Sequence, residues 1–394
     1  MPIGTRTRRR RQLGLAGLVL AAIGTLTAPT SAQATTQTLC GQYQTASVAN
    51  GRYIVDNNNY GANVDQCLTT DGGANFTVVS STASASPPQG PVSYPEIFEG
   101  CHWSTCSSNT NLPLRVDRIG SATSSWSTRQ TPTGNYNTAY DLWFNSTPGT
   151  SGQPDGAELM IWLDRRPVSD SPPGSIASIN GVQYVAWQTS MSANGKTWPL
   201  VGYRLVNPTD TVTNLDLRAF VRDAVVRGAV KPEWYLTAVE AGFEVWSGGT
   251  GLATTSFSST SKPGYPVGQT RSGASNTCLN NRNGANTAGN PITVEACTTS
   301  AAQQWTAGID GTISHAGMCV GTTGTQVALY PCNGGPQQVW LPAFEGGLWN
   351  LGSGLCLHDP SGIGSSGTQL DLTTCDGSPS QRWALPTTVA ATRV

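Results

Sequence analysis

The segment Glu158-Leu159-Met160-Ile161-Trp162-Leu163 alternates strictly, so that as a strand it sends Leu159, Ile161 and Leu163 to one face and Glu158, Met160 and Trp162 to the other. A second stretch has the same grammar: Val239, Phe243 and Val245 share one face, and Glu240, Gly242, Glu244 and Trp246 the other. Two strands thus each offer a glutamate beside an indole. Paired carboxyl groups suit the cleavage of an acetal bond, whose leaving oxygen must be protonated while an oxocarbenium-like carbon is attacked from the other side. Carboxyls about 5 to 5.5 Å apart give the retaining geometry, in which one glutamate attacks and the other switches from acid to base. Gly242 beside these acids would also let a substrate approach the backbone closely. Alternation alone fits equally well with glutamates solvated at sheet edges and tryptophans capping a core.

The elements that must carry these residues read as all-β. Residues 35–258 consist of short runs of β-forming residues separated by Gly, Pro, Asn and Ser turns, the signature of a sandwich or barrel. One helix stands out, with Leu217, Phe220, Val221, Ala224 and Val225 at helical spacing, Thr213-x-x-Asp216 as its start and Gly228 as its stop. The Ser, Pro and Gly content of Ser256 to Gly268 predicts a linker, taken as residues 259–265. Beyond it a motif recurs three times. The copies run Cys278-Leu279-Asn280 to Cys297 and Gln303-Gln304-Trp305, then Cys319-Val320-Gly321 to Cys332 and Gln338-Val339-Trp340, then Cys356-Leu357-His358 to Cys375 and Gln381-Arg382-Trp383. Each copy can be stapled locally while its Trp enters a shared core, and three such units close into a trefoil.

Residues 1–34 read as an export signal: Arg6 and Arg8 to Arg11 form a basic head, Leu13 to Leu26 an apolar run too short to span a bilayer, and Ala32-Gln33-Ala34 a cleavage site. The paired arginines leave both the general and the twin-arginine export routes open. Cleavage would remove five arginines and no acid, taking the net charge from −1 to −6. Nucleic acid is excluded as a partner by that balance, since only Lys196, Lys231 and Lys262 supply lysines. All 10 cysteines follow the signal, an even number in an exported chain, which favours disulfides over metal ligation. Cys101-His102-Trp103-Ser104-Thr105-Cys106 has no Cys-x-x-Cys partner to complete a zinc site, so no metal is expected.

Tyr140-Asp141-Leu142, Glu158 to Leu163 and Gly242-Phe243-Glu244-Val245-Trp246, in that order, resemble the motifs of glycoside hydrolase family 12 across residues 38–258. The resemblance implies a concanavalin-like β-jelly-roll sandwich with an open cleft and one helix on its back. It makes Glu158 the nucleophile, Glu244 the acid/base and Asp141 the carboxyl that hydrogen-bonds the nucleophile. Glu240, on the same face, stays a rival for the acid. It further implies two loop disulfides, Cys40 with Cys67 and Cys101 with Cys106. Asn57-Asn58-Asn59-Tyr60-Gly61 is similar to the family's substrate-contacting Asn-Asn-x-Trp-Gly, with Tyr60 in place of Trp and hence a smaller stacking area. Trp103 and Trp126 are cleft or core.

The threefold repeat resembles the ricin B-type lectin fold, also carbohydrate-binding module family 13, over residues 266–388. That pattern has Asp after Cys-Leu, an aromatic two residues before the second Cys and Asn before the Gln. This chain carries Asn280, Gly321 and His358 at the first position, Glu295, Tyr330 and Thr373 at the second, and Ala302, Gln337 and Ser380 at the third. Only Tyr330 keeps a platform, and Asp359, shifted by one, is a possible substitute carboxylate. The resemblances together imply a secreted, monomeric, extracellular endo-β-1,4-glucanase acting on a β-glucan polysaccharide, with a possible second carbohydrate at the trefoil and no cofactor. A xyloglucan-specific or mixed-linkage β-glucanase is the alternative within the same chemistry, and a non-catalytic lectin the alternative of another class.

Overall fold

The computed structural model describes residues 36–167 and 173–394, together with Met1 and Gly4. The expected export signal falls almost wholly outside these residues. Among them, no helix is long and apolar enough to cross a membrane.

Two sheets form the sandwich. One runs in the order Gln37–Leu39, Gln66–Thr70, Phe76–Ser81, Ala253–Pro263, Ile119–Arg129 and Thr211–Asp216. The other runs Ser175–Ile179, Val182–Ala193, Lys196–Leu205, Ala157–Arg166, Asn135–Asn145, Tyr235–Gly242, Glu96–His102, Tyr53–Asp56 and Thr45–Val48. Neighbours on this path are antiparallel except Ala157–Arg166 and Lys196–Leu205, which pair parallel. Period-two alternation sets both faces. Tyr136, Tyr140, Leu142, Phe144, Leu159, Ile161 and Leu163 enter the core between the sheets. Glu158, Met160 and Trp162 take the outer face, as alternation predicts. Trp126 is core: it is fully buried and its indole donates to Thr254 Oγ1 at 3.0 Å.

Three expectations need correction. The 259–265 linker is largely strand: Ala253–Pro263 pairs along Ile119–Arg129 from Arg129 opposite Ala253 to Ile119 opposite Pro263. Its polar composition hides the alternation, because Ser259 and Ser261 occupy buried slots in line with Phe257. Gly264 alone separates this strand from Tyr265–Gly268, and there a Cβ would lie 2.6 Å from the Ala390 carbonyl oxygen. The stretch from Val239 to Trp246 is broken between Gly242 and Val245, although its faces alternate as expected. The helix Leu217–Val226 is capped by Asp216, whose side chain accepts from Ala219 N, and not by Thr213, which lies in the preceding strand.

That helix packs Phe220 edge-on to Tyr184 and Tyr203, at 5.0 and 5.2 Å between centroids, on the side of the sheet opposite Met160 and Trp187. Its remaining surface meets the trefoil. Arg218 donates to the carbonyls of Ile119 and Ala307, each at 2.8 Å. Arg222, buried, donates to Gly311 O at 3.2 Å and to Trp340 O. Burial lowers Arg222 to about 10, which leaves it charged at neutral pH.

The trefoil is held by a bond set repeated three times. The Trp305, Trp340 and Trp383 indoles donate to Leu279, Val320 and Leu357 carbonyls at 2.9, 2.8 and 3.0 Å. Gln303, Gln338 and Gln381 each bridge two backbone groups of the preceding turn. The five disulfides pair Cys40–Cys67, Cys101–Cys106, Cys278–Cys297, Cys319–Cys332 and Cys356–Cys375, as expected. Asp359 does not substitute for a ligand carboxylate. It is fully buried and accepts from Ser361 N, Ser361 Oγ and Gly364 N, closing its own turn.

Replacing Arg222 by Met should strand the buried Trp340 carbonyl, while Gly311 O keeps its bond from Trp340 N at 2.9 Å, lowering stability by about 1–3 kcal/mol. Urea unfolding followed by tryptophan fluorescence measures this, and an unchanged midpoint would show that the trefoil does not depend on the helix.

Candidate active site

A cleft of about 810 Å³ opens on the outer face of the second sheet. Ala157–Arg166 supplies Glu158 and Met160, Asn135–Asn145 supplies Asp141 and Trp143, and Tyr235–Gly242 supplies Glu240, with Glu244 just beyond its end. Register brings these together. Asp141 lies opposite Met160 on one side and Glu240 on the other, while Glu158 lies opposite Trp143, so Asp141 and Glu158 are diagonal neighbours on one face.

Each of the two expected reacting glutamates is gripped at one oxygen. Trp198 Nε1 donates to Glu158 Oε2 at 2.8 Å. Asn137 Nδ2 donates to Glu244 Oε2, while Glu244 N donates to Asn137 Oδ1 at 3.2 Å and Asn137 N to Glu244 O at 3.0 Å. Asn137 thereby replaces the ladder where the strand breaks. Gly242 serves this crowding and not the approach of a substrate, since a Cβ there would lie 2.6 Å from Pro95 O and 2.9 Å from Glu96 Cβ.

Burial raises both glutamates, Glu244 to about 7 against the pull of Asn137. Glu158 rises by burial and by the charge of Glu244, against the Trp198 indole. Asp141 is pushed well up by burial and by the charges of Glu158 and Glu240, and its Oδ1 has no partner. Like charges in so dry a site cannot all ionise, so the cleft holds protons at neutral pH.

The expected contact residues divide. Asn58, Tyr60, Met160 and Trp103 line the cleft. Asn57 does not: it is buried behind it, donating to Gly41 O at 2.8 Å and Gln66 O at 3.0 Å, because its side chain ties two loops together. Trp162 packs on Trp187 at 5.2 Å, outside the lining. Trp246 is also outside it, with its indole donating to Gln89 O at 2.8 Å. Sequence reading missed Trp143, Trp198, Asn137, His102 and Glu96. Trp143 could have been found, being two residues from Asp141 on the same strand face.

Asp56, Glu96 and His102 place ligand atoms within 4.8 Å of one another, the one such group among the described residues. All three already have protein partners: Asn58 N for Asp56, Asn58 Nδ2 for Glu96 at 2.9 Å, and Glu240 for His102 at 2.8 Å. Four rings continue from there along the cleft. His102 meets Trp103 at 4.0 Å, Trp103 meets Trp143 at 5.5 Å and Trp143 meets Trp198 at 5.7 Å.

Buried acids beside an aromatic wall, on the open face of a jelly-roll sheet, define a glycoside hydrolase. The family model of glycosyl hydrolase family 12 matches residues 51–262, and that of the ricin-type beta-trefoil lectin domain matches residues 266–383. The chain is 35% identical over 153 residues to the probable cellulase Cel12b of Mycobacterium tuberculosis, covering 38% of this chain and 96% of that protein. It is 30% identical over 245 residues to the probable xyloglucan-specific endo-beta-1,4-glucanase A of Aspergillus clavatus, covering 57% of this chain and 91% of that one. Endoglucanase cel12A from Rhodothermus marinus superposes with a TM-score of 0.53 at 39% identity, over 58% of this chain and 99% of that structure. The chain belongs to glycosyl hydrolase family 12, and carries a ricin-type trefoil after its catalytic fold.

Asn137→Ala removes a donor that favours the ionised form of Glu244, so Glu244 should stay protonated to higher pH. With a hydrogen bond to a charged group worth ~1.5–3 kcal/mol, the alkaline limb of kcat/KM should move up by about 1–2 pH units. A limb that stays in place, or moves down, contradicts this account of Glu244.

Proposed function

We propose that the protein is a secreted, retaining endo-β-1,4-glucanase that hydrolyses internal bonds of cellulose-type glucans, with Glu158 as nucleophile and Glu244 as acid/base. The observation that carries this reading is that both glutamates line one open cleft, each anchored through one oxygen. In the first step Glu244 gives its proton to the leaving glycosidic oxygen while Glu158 attacks the anomeric carbon, forming a glycosyl ester and releasing one sugar chain. In the second, Glu244 takes a proton from water, whose oxygen displaces Glu158 and restores both carboxyls. Asp141, diagonal to Glu158, keeps its own proton and supports the nucleophile from its unpartnered face. The likeness to the Mycobacterium cellulase and the Rhodothermus endoglucanase supports cellulose-type glucan as substrate.

Xyloglucan is the second reading, favoured by the likeness to the Aspergillus enzyme and by Tyr60, whose smaller ring leaves more room than Trp. Export is supported by the basic head and apolar run before residue 35 and by the pairing of all 10 cysteines in disulfides. The trefoil is read as a docked accessory module of carbohydrate-binding ancestry.

Viscosity loss and reducing-sugar release on carboxymethyl-cellulose, barley β-glucan and xyloglucan test the proposal and rank the substrates. Glu158→Gln should abolish turnover, and Glu244→Gln should lower kcat by about 10²–10⁴-fold. Full activity in either variant, or polysaccharide binding without hydrolysis by the wild type, overturns the reading in favour of another acid pair or of a lectin.

A further inference from the structure

Glu240 lines the cleft, yet its surroundings are unlike those of an acid free to protonate a substrate. Its Oε1 shares a 2.8 Å hydrogen bond with His102 Nδ1, which also lies 3.7 Å from Glu96 Oε1. Its second oxygen, Oε2, is buried without a hydrogen-bond partner. Glu240 therefore reaches the aromatic wall through His102, whose ring meets Trp103 at 4.0 Å.

The loop that presents Trp103 needs such an anchor. Trp103 and Ser104 both have left-handed backbones, with φ of 40° and 77°, a conformation that is costly for side-chain-bearing residues. The Cys101–Cys106 disulfide closes the loop at its base, and Ser104 N donates to Thr150 O at 2.8 Å on its far side. The side-chain direction of Trp103 is set by what its ring meets, namely His102 and Trp143. Trp143 continues to Trp198, which holds Glu158.

Resting on the hydrolase reading, we propose that Glu240 is a positioning residue that, through His102, fixes Trp103, braced edge-on by Trp143, as a stacking platform for a pyranose ring beside the bond being cleaved. The flat face of one indole, held by the edge of another at 79°, suits the apolar face of a β-linked glucosyl unit, whose equatorial hydroxyls project sideways, away from the ring faces. Glu240 then governs binding at that subsite and not the proton transfer itself.

The test uses the full chain with Glu240→Ala, Glu240→Gln and His102→Ala. Near-UV circular dichroism of the free protein reads the packing of the wall without any ligand. Cellotetraose titrated against tryptophan fluorescence, in a Glu158→Gln background that prevents turnover, reads the subsite. Glu240→Ala and His102→Ala should change the near-UV spectrum and weaken cellotetraose binding about tenfold, while Glu240→Gln, which can still accept from His102, should stay within about threefold of the parent. In the active background, KM should rise in the alanine variants while kcat falls far less than in Glu244→Gln. Unchanged spectrum and binding in both alanine variants overturn the proposal. So does a Glu240→Gln variant whose kcat falls as far as that of Glu244→Gln with KM unchanged, since Glu240 would then be the acid. A wild type that binds cellotetraose without hydrolysing it would defeat the hydrolase reading and leave the spectral and binding arms decisive for the platform.

Discussion

Six carboxyl groups are packed into or just behind one buried face of a single sheet: Asp56, Glu96, Asp141, Glu158, Glu240 and Glu244. Removing ionised carboxylates from water is expensive, and placing them side by side adds repulsion, so the arrangement persists only if some stay protonated and the rest find donors. The remainder of the site can be understood as the answer to that constraint. An indole N–H serves Glu158, a side-chain amide serves Glu244, a second amide serves Glu96, and an imidazole serves Glu240. Asp141, Glu96 and Glu240 each keep one buried oxygen without a partner, an arrangement that disfavours their ionised forms. A cleft that must hold protons at neutral pH is also one that can lend them.

The sheet meets this demand because both of its faces are dry for different reasons. One packs on the second sheet, with tyrosines, leucines and phenylalanines filling the sandwich. The other is walled by tryptophans, which exclude water while offering N–H groups at their edges. Trp198 and Trp143 therefore exclude the water whose loss raises the carboxyl pKa values, and Trp198 also supplies a donor that partly reverses the rise in Glu158. A wall of leucines could do only the first. The indoles also give the cleft flat surfaces that a hydrated acid cluster would lack.

Much of this was legible in the sequence. Period-two alternation assigned Glu158, Met160, Trp162, Glu240 and Glu244 to the correct faces, and the threefold Gln-x-Trp repeat specified the trefoil core. What escaped reading depends on partners distant in the chain. The strand break before Glu244 is completed by Asn137, 107 residues earlier, and nothing local announces that an amide side chain will stand in for a ladder. His102 was legible as a metal-type residue without a metal partner, but its pairing with Glu240 spans 138 residues. Ser259 and Ser261 looked like linker because serine in a buried strand slot is indistinguishable by composition from serine in a flexible tether.

The absence of that tether changes how the second domain should be understood. A linker of Gly and Ser would let a carbohydrate-binding module search independently of the catalytic cleft. Here only Gly264 separates the last sandwich strand from the first strand of the trefoil, and the helix on the back of the sheet directs Arg218 and Arg222 to trefoil backbone carbonyls. These bonds go to main-chain atoms of Ala307, Gly311 and Trp340, so they require the trefoil's shape and not its ligand-binding side chains. The loss of the Asp–aromatic–Asn pattern in the repeats, and the use of Asp359 as an internal turn carboxylate, point the same way. Selection on this trefoil can act through its fold, because a buried guanidinium of the sandwich, Arg222, finds its hydrogen-bond acceptors on trefoil main-chain atoms.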